Sequence, residues 1–254
     1  MHAHFRLLIF AIVFAGVRLS FPQSGDSINV RAIVEKLDNL YRSNSSYAEM
    51  EMQIVTPHWE RTLALKAWSK GKDRAFILIT SPQKEEGTAT LRIGNEMWNY
   101  LPNTNKAMKI PPSMMSSSWM GSDFTNDDLV KEISLRDDYD YRIITPADAK
   151  TGLIYIEFIP RKEVPIVWSR MVTTIRAEDY LPVRDEYYDE KGKLMRILKF
   201  DDIRLAGGKK IPATIELIPQ NKESQRTIIK YKNVQFDINI SDDTFTLRNL
   251  MKGK

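Results

Sequence analysis

The chain has 254 residues, 43% of them hydrophobic and 28% charged, with three histidines and no cysteine; its mean hydropathy of −0.36 is that of an ordinary globular protein. The missing cysteine excludes disulfides, zinc-thiolate sites, thiol nucleophiles and lipids attached through sulfur. A formal charge of +4 and a pI of about 9.0 are spread along the chain, with acids between the bases, and lack the concentrated basic stripe of a nucleic-acid binder.

At the start, Arg6 precedes an uninterrupted apolar run over residues 7–17, which ends in Arg18, Leu19, Ser20, Phe21 and Pro22. This is the pattern of a secretory signal peptide, expected over residues 1–25. The run is well short of the roughly 20 residues that cross a bilayer as a helix. An uncleaved signal anchor is the alternative, because no Ala-x-Ala site precedes Gly25. Arg6 and Arg18 are the only charges before that point, so the net charge falls from +4 to +2 without the leader. The remainder, residues 26–254, is expected to be one exported and soluble domain. Without a lipobox cysteine it is also expected to be unlipidated.

Over residues 28–42, Val30, Ile33, Val34, Leu37, Leu40 and Tyr41 recur at spacings of three and four, which predicts an amphipathic helix. After Ser43-Asn44-Ser45-Ser46 the period changes to two: Ala48, Met50, Met52 and Ile54 alternate with more polar neighbours. Leu63, Leu65 and Ala67 continue the alternation, and residues 74–80 make a more uniformly apolar strand. Residues 88–93, the Gly94-Asn95 turn, residues 96–101, the Pro102-Asn103-Thr104-Asn105 turn and residues 106–110 read as two consecutive hairpins. Further strands are expected over residues 139–145, 153–160, 169–176, 183–188, 194–200, 213–218 and 225–235, with turns such as Thr151-Gly152, Gly207-Gly208 and Pro219-Gln220-Asn221 between them. Such short, even spacing, summarised as about ten strands, predicts an antiparallel meander and leaves no room for parallel crossovers. The centre, residues 111–131, breaks the rhythm, with Thr125 a candidate cap for a short helix; another short helix is expected near Ser241-Asp242-Asp243.

Little chemistry is available. His2 and His4 belong to the leader, which leaves His58 beside Pro57 in an expected turn; histidine-based triads and metal sites therefore have no partners to draw on. Paired acids occur at Asp127-Asp128, Asp137-Asp138, Asp201-Asp202 and Asp242-Asp243, without the spacing of a calcium loop. They fall at strand ends and helix starts, where acids cap and solvate. No catalytic residue, metal or cofactor is expected.

Soft apolar side chains instead gather where regular structure is least expected. Met108, Met114, Met115 and Met120 lie with Trp119 and Phe124 around Pro111-Pro112 and a run of serines. One reading is that they pack a core beneath a long loop. As a group, they read as a mobile apolar flap over a cavity, since methionine adapts to ligands of variable shape.

The stretches Gly94-Asn95-Glu96-Met97-Trp98-Asn99-Tyr100-Leu101-Pro102 and Asn105-Lys106-Ala107-Met108-Lys109-Ile110 resemble those of the outer-membrane lipoprotein-sorting protein family, the LolA-like periplasmic lipoprotein carriers. So do Trp119-Met120-Gly121-Ser122-Asp123-Phe124-Thr125-Asn126-Asp127-Asp128-Leu129, Tyr188-Asp189-Glu190-Lys191-Gly192-Lys193 and Asp242-Asp243-Thr244-Phe245-Thr246. The resemblance implies a mostly β fold: a single unclosed antiparallel β-barrel, with an N-terminal amphipathic helix and short helices covering the concave face. It also implies a periplasmic carrier that holds acyl chains of a lipoprotein or lipid and moves them between inner and outer membrane. The implied partners are the cargo, an inner-membrane transporter and an outer-membrane acceptor, with transient membrane contact. A lipid- or lipoprotein-sensing regulator of an inner-membrane partner is the alternative within the same fold. Strand parity nominates Met50, Met52, Ile54, Leu63, Leu65, Leu91, Ile93, Ile154, Ile156 and Phe158 as the apolar cavity wall. Val34 and Leu37 of the helix, with Met114, Met115, Trp119, Met120 and Phe124 of the centre, are the candidate lid or plug. Parity is weakest where both faces are apolar, as at Phe76 and Ile77, because a slip of one residue turns a strand's whole set outward.

Overall fold

A computed structural model describes residues 29–252, apart from 41–42, 131–132 and 165. The expected leader, and the last residues of the expected N-terminal helix, lie outside the described residues. That helix, α1 (Val30–Asp38), starts where Asn29 accepts a hydrogen bond from the Ala32 N–H, and it buries Ile33 and Val34.

The strands are β1 (Ser45–Val55), β2 (Glu60–Lys70), β3 (Arg74–Ser81), β4 (Ala89–Ile93), β5 (Glu96–Leu101), β6 (Lys106–Lys109) and β7 (Tyr139–Ile144). They continue as β8 (Leu153–Pro160), β9 (Arg170–Arg176), β10 (Pro182–Tyr188), β11 (Leu194–Ala206), β12 (Lys209–Pro219) and β13 (Arg226–Phe236). Thirteen strands form, one for each run that the sequence predicts, so the summary figure of about ten understates the count. All of them join one antiparallel sheet in the order β6-β5-β4-β3-β2-β1-β13-β12-β11-β10-β9-β8-β7, which does not close into a barrel. Two meanders run from opposite rims, and β1 pairing with β13 seams them at the middle. His58 lies exposed in the β1–β2 turn.

The two hairpins around residues 94–95 and 102–105 form as the turn residues demand, with Ile93 opposite Glu96 and Leu101 opposite Lys106. Gly207 in the β11–β12 turn has a φ of +54°, and a Cβ there would sit 2.5 Å from the Phe236 ring, so only glycine fits. The rim strand β6 is exposed along its length and carries a lysine at each end, which discourages pairing with another sheet.

One face of the sheet is covered twice. Over β7–β9, Ile33 and Val34 of α1 pack on Tyr139, Ile154, Ile156, Phe158, Met171 and Ile175. Over β1–β5, Trp119 from residues 111–131 packs on Met52, Ile54, Leu63, Leu65, Ile79 and Met97. The helix α2 (Asn126–Val130) belongs to this second cover. On the opposite face, a 3-10 turn (Asp242–Phe245) and α3 (Leu247–Leu250) bring Phe245 and Leu250 against Phe76, Leu78, Ala89 and Leu91.

The C-terminal turns on the opposite face explain why parity misplaces Leu91 and Ile93. Leu91 and Ile93 lie on the face opposite Leu65, Leu91 beneath the C-terminal turns and Ile93 partly in solvent. Their neighbours Thr90 and Arg92 point inward, Thr90 to meet Trp119. Both faces of β3–β5 are buried, so hydrophobicity alone does not choose between them. Arg92 is tolerated there because its guanidinium donates to the Gly94 and Lys72 carbonyls at 3.0 and 2.8 Å.

Candidate functional site

The covering segment, residues 111–130, is held to the inner face by polar links from four strands. Trp119 Nε1 donates to Thr90 Oγ1 at 3.1 Å. Arg61 donates to the Met120 carbonyl and reaches Glu85 at 2.9 Å. Asp123 accepts from Thr227 Oγ1 at 2.8 Å and from Gln225 Nε2 at 2.7 Å. Asp128 Oδ1 and Oδ2 take both Nη groups of Arg196, at 3.0 and 2.9 Å.

Asp128 does two jobs. The Thr125 Oγ1 accepts from the Asp128 N–H at 3.2 Å while Asp128 Oδ2 accepts from the Thr125 N–H at 2.8 Å, a reciprocal cap that forms α2 as Thr125 predicted. The same carboxylate then holds α2 to β11. Burial opposes its ionisation, but the charge and hydrogen bonds of Arg196, with the Thr125 N–H, keep it below the ordinary aspartate range.

Arg196 is gripped on its faces as well as its edge. Its guanidinium lies 4.7 Å from the Trp168 ring centre and 4.4 Å from that of Tyr187, and the two rings sit 5.5 Å apart. Desolvation works against its charge, and Asp128 overcomes that effect, so its proton is held more tightly than usual. The β10–β11 turn dictates this meeting, since its register sets Tyr187 opposite Arg196 and Asp185 opposite Leu198.

Between the two covers lies a cavity of about 570 Å³, walled by Ile133, Leu135, Tyr139, Ile166, Val167, Trp168 and Met171, with Asp127, Asp128, Asp185, Tyr187 and Arg196 among its polar groups. Its volume is that of small-molecule sites, about 300–1,000 Å³. A larger hollow of about 900 Å³ lies on the opposite face, where Lys150, Arg170, Arg184, Glu186 and Lys199 share the wall with Ile144, Leu153 and Phe200. Deep in the inner cavity, burial pushes the Asp185 carboxyl up to about 6 despite the hydrogen bond from Thr173 and the pull of Arg196. Asp185 Oδ1 is sealed from solvent.

The residues nominated from the sequence fall into three places. Met50, Met52, Ile54, Leu63 and Leu65 meet Met115, Trp119, Met120 and Phe124 of the covering segment. Ile154, Ile156 and Phe158 meet Val34 and Leu37 of α1. Leu91 and Ile93 are on the other face, and Met114 is half exposed at the surface. None of them lines the open cavity. Its wall comes from β10, β11 and residues 133–139 and 166–168, where polar residues on both strand faces hide any alternation. The usable signal was the turn at Gly192, which places Tyr187 and Arg196 together.

A protein-family profile described as "Uncharacterized protein" matches residues 71–252. Among solved structures, a DUF1329 family protein from Desulfovibrio piger is 27% identical with a TM-score of 0.76, over 87% of this chain and 97% of that one. A domain described as an outer membrane lipoprotein-sorting protein, from Vibrio parahaemolyticus, is 21% identical with a TM-score of 0.73, again over 87% and 97%. A LolA superfamily protein from Nitrosomonas europaea is 18% identical with a TM-score of 0.70, over 86% and 98%. No curated protein matches the sequence. The fold is LolA-like.

Proposed function

The chain belongs to the family whose profile spans residues 71–252, and from that membership and its LolA-like fold we propose that it is a periplasmic carrier, which shelters the acyl chain of a lipid or lipoprotein on the inner face of its sheet while the cargo passes between membranes. The observation that carries this reading is the apolar cavity of about 570 Å³ bordered by a segment that covers further apolar wall.

Shielding hydrocarbon from water gains about 0.8 kcal/mol per methylene. The cover opposes loading, because Trp119 and its methionines occupy the wall formed by Met52, Leu63 and Leu65. Their displacement joins that wall to the open cavity and lengthens the space for a chain. Cover and cargo thus compete for one surface, so affinity stays low enough for release. The segment's links to the sheet suit such exchange. Each neutral hydrogen bond is worth about 0.5–1.5 kcal/mol net, and the charged pair somewhat more. An inner-membrane donor and an outer-membrane acceptor are the partners this cycle requires.

The test is titration of purified protein with a fluorescent fatty-acid probe. Saturable binding at one probe per chain is the expected result; fluorescence no greater than with an unrelated β-sheet protein of similar charge rejects the carrier.

A further inference from the structure

The two rims of the sheet are built differently. Strand β6 carries a lysine at each end, whereas β7 alternates Tyr139, Tyr141 and Ile143 on one face with Asp140, Arg142 and Ile144 on the other. Among the described residues, no strand pairs with the outer edge of β7. The backbone direction along that edge follows from its root, where the Arg161 N–H donates to the Asp138 carbonyl at 2.9 Å. In an antiparallel ladder the direction then alternates, so Asp140, Arg142 and Ile144 turn their N–H and C=O groups toward β8, and Tyr139, Tyr141 and Ile143 turn theirs outward. The outward groups form a template for one more antiparallel strand.

The charges on β7 specify which strand fits. When a strand pairs with its own copy, the two-fold axis must fall on a residue whose backbone points outward. An axis at Tyr139 sets Asp138 against Asp140, acid against acid. At Ile143 it sets Arg142 against Ile144. At Tyr141 it sets Asp140 against the Arg142 of the second copy and Arg142 against its Asp140, at the positions where cross-strand side chains approach most closely. The same register places Tyr141 against its counterpart and the partly exposed Ile143 against Tyr139.

Both charged side chains are accessible for this exchange, Asp140 being 77% and Arg142 75% exposed. Asp140 meets Arg161 at 3.2 Å in an exposed pair, the kind that contributes least. Arg142 shares the carboxylate of Glu157 with Arg170, so Glu157 keeps a cation if Arg142 turns to a second carboxylate.

We propose that β7 is a self-complementary docking edge, to which a second copy of this chain adds its own β7, antiparallel about Tyr141, so that the two sheets continue as one. A contact confined to one pair of short strands is small, so the association is reversible, with a Kd on the order of 10–100 μM.

The experiment is sedimentation equilibrium of the purified protein from about 5 to about 300 μM. The wild type is expected to pass from one chain to two over that range. Asp140→Arg and Arg142→Asp each set like charges against each other and are expected to stay single at every concentration, as is Ile143→Pro, which removes an outward N–H without changing charge. An equimolar mixture of the two charge variants is expected to form dimers again, because one brings two cations and the other two anions to the same register, and this recovery shows that both variants are folded. A wild type that stays single throughout, a dimer that survives either charge variant, or a mixture that stays single overturns the inference, and none of these outcomes bears on the carrier reading.

Discussion

Asp185 and Asp128 share one cavity and respond to acid in opposite senses. Asp185 has a folded-state pKa of about 6, above its ordinary 3.8, so the folded protein takes up a proton before the unfolded chain does. Its contribution to stability therefore rises as pH falls from 6 to 4, and at neutral pH it is a penalty on the order of 1–3 kcal/mol. Asp185→Asn is expected to raise the urea midpoint at pH 7.5 by that energy. The gain should vanish at pH 4, which urea melts at both pH values will read. Asp128 is held below the ordinary range, so its stabilisation is present at neutral pH and is lost only as pH falls through its lowered value. Neither role was visible from residue type: Asp127-Asp128 read as acids at a helix start, which is half of what Asp128 does, and Asp185 was one residue of the expected strand over residues 183–188.

Among the elements, the covering segment is the one whose hold is divided into small polar parts. Its contact with β11 rests on Asp128, which is held bidentately by a mostly buried Arg196. Asp128→Asn removes the charge that takes both Nη groups of the guanidinium held between two rings. The expected loss is about 2 kcal/mol, between the values for exposed and fully buried pairs. Hydrogen exchange should locate that loss, with faster exchange across residues 115–129 and little change in α1. The helix α1 was legible as a helix, because the spacing of Val30, Ile33, Val34 and Leu37 is that of a helix face, but it stops at Asp38, and Leu40, expected on the same face, packs in another cluster. The β3–β5 strands were legible as strands but not as to face. Leu91 and Ile93 carry as much hydrophobicity as Ile77 and Ile79, and only the C-terminal turns, distant in sequence, decide which side is which.

For the whole molecule, the turn residues and alternating runs made the antiparallel meander readable, and the resemblance added its unclosed form and the covering of its concave face. The open cavity was not readable, because its wall joins β7, β9, β10 and β11 with loops far along the chain. If loading requires the covering segment to leave the sheet, then tying it down must stop loading. The chain has no cysteine, so Asp123→Cys with Thr227→Cys, two positions whose side chains already touch, gives a pair that can be joined and released. Oxidised, this variant is expected to take up the fluorescent probe at least about tenfold more slowly, with the wild-type rate restored by reductant. Unchanged uptake in the oxidised protein would show that cargo enters without moving the segment.

The order of the strands puts a mechanical condition on that movement. The rims are β6 and β7, twelve interstrand steps apart, or about 58 Å along the sheet, and they are consecutive in the chain. The stretch between them is therefore a strap buckled to both rims of a basket. It bows outward or slides, but it never swings away like a hinged door. Any swelling of the contents that spreads the rims must draw slack from the strap, so its length sets how much the basket holds.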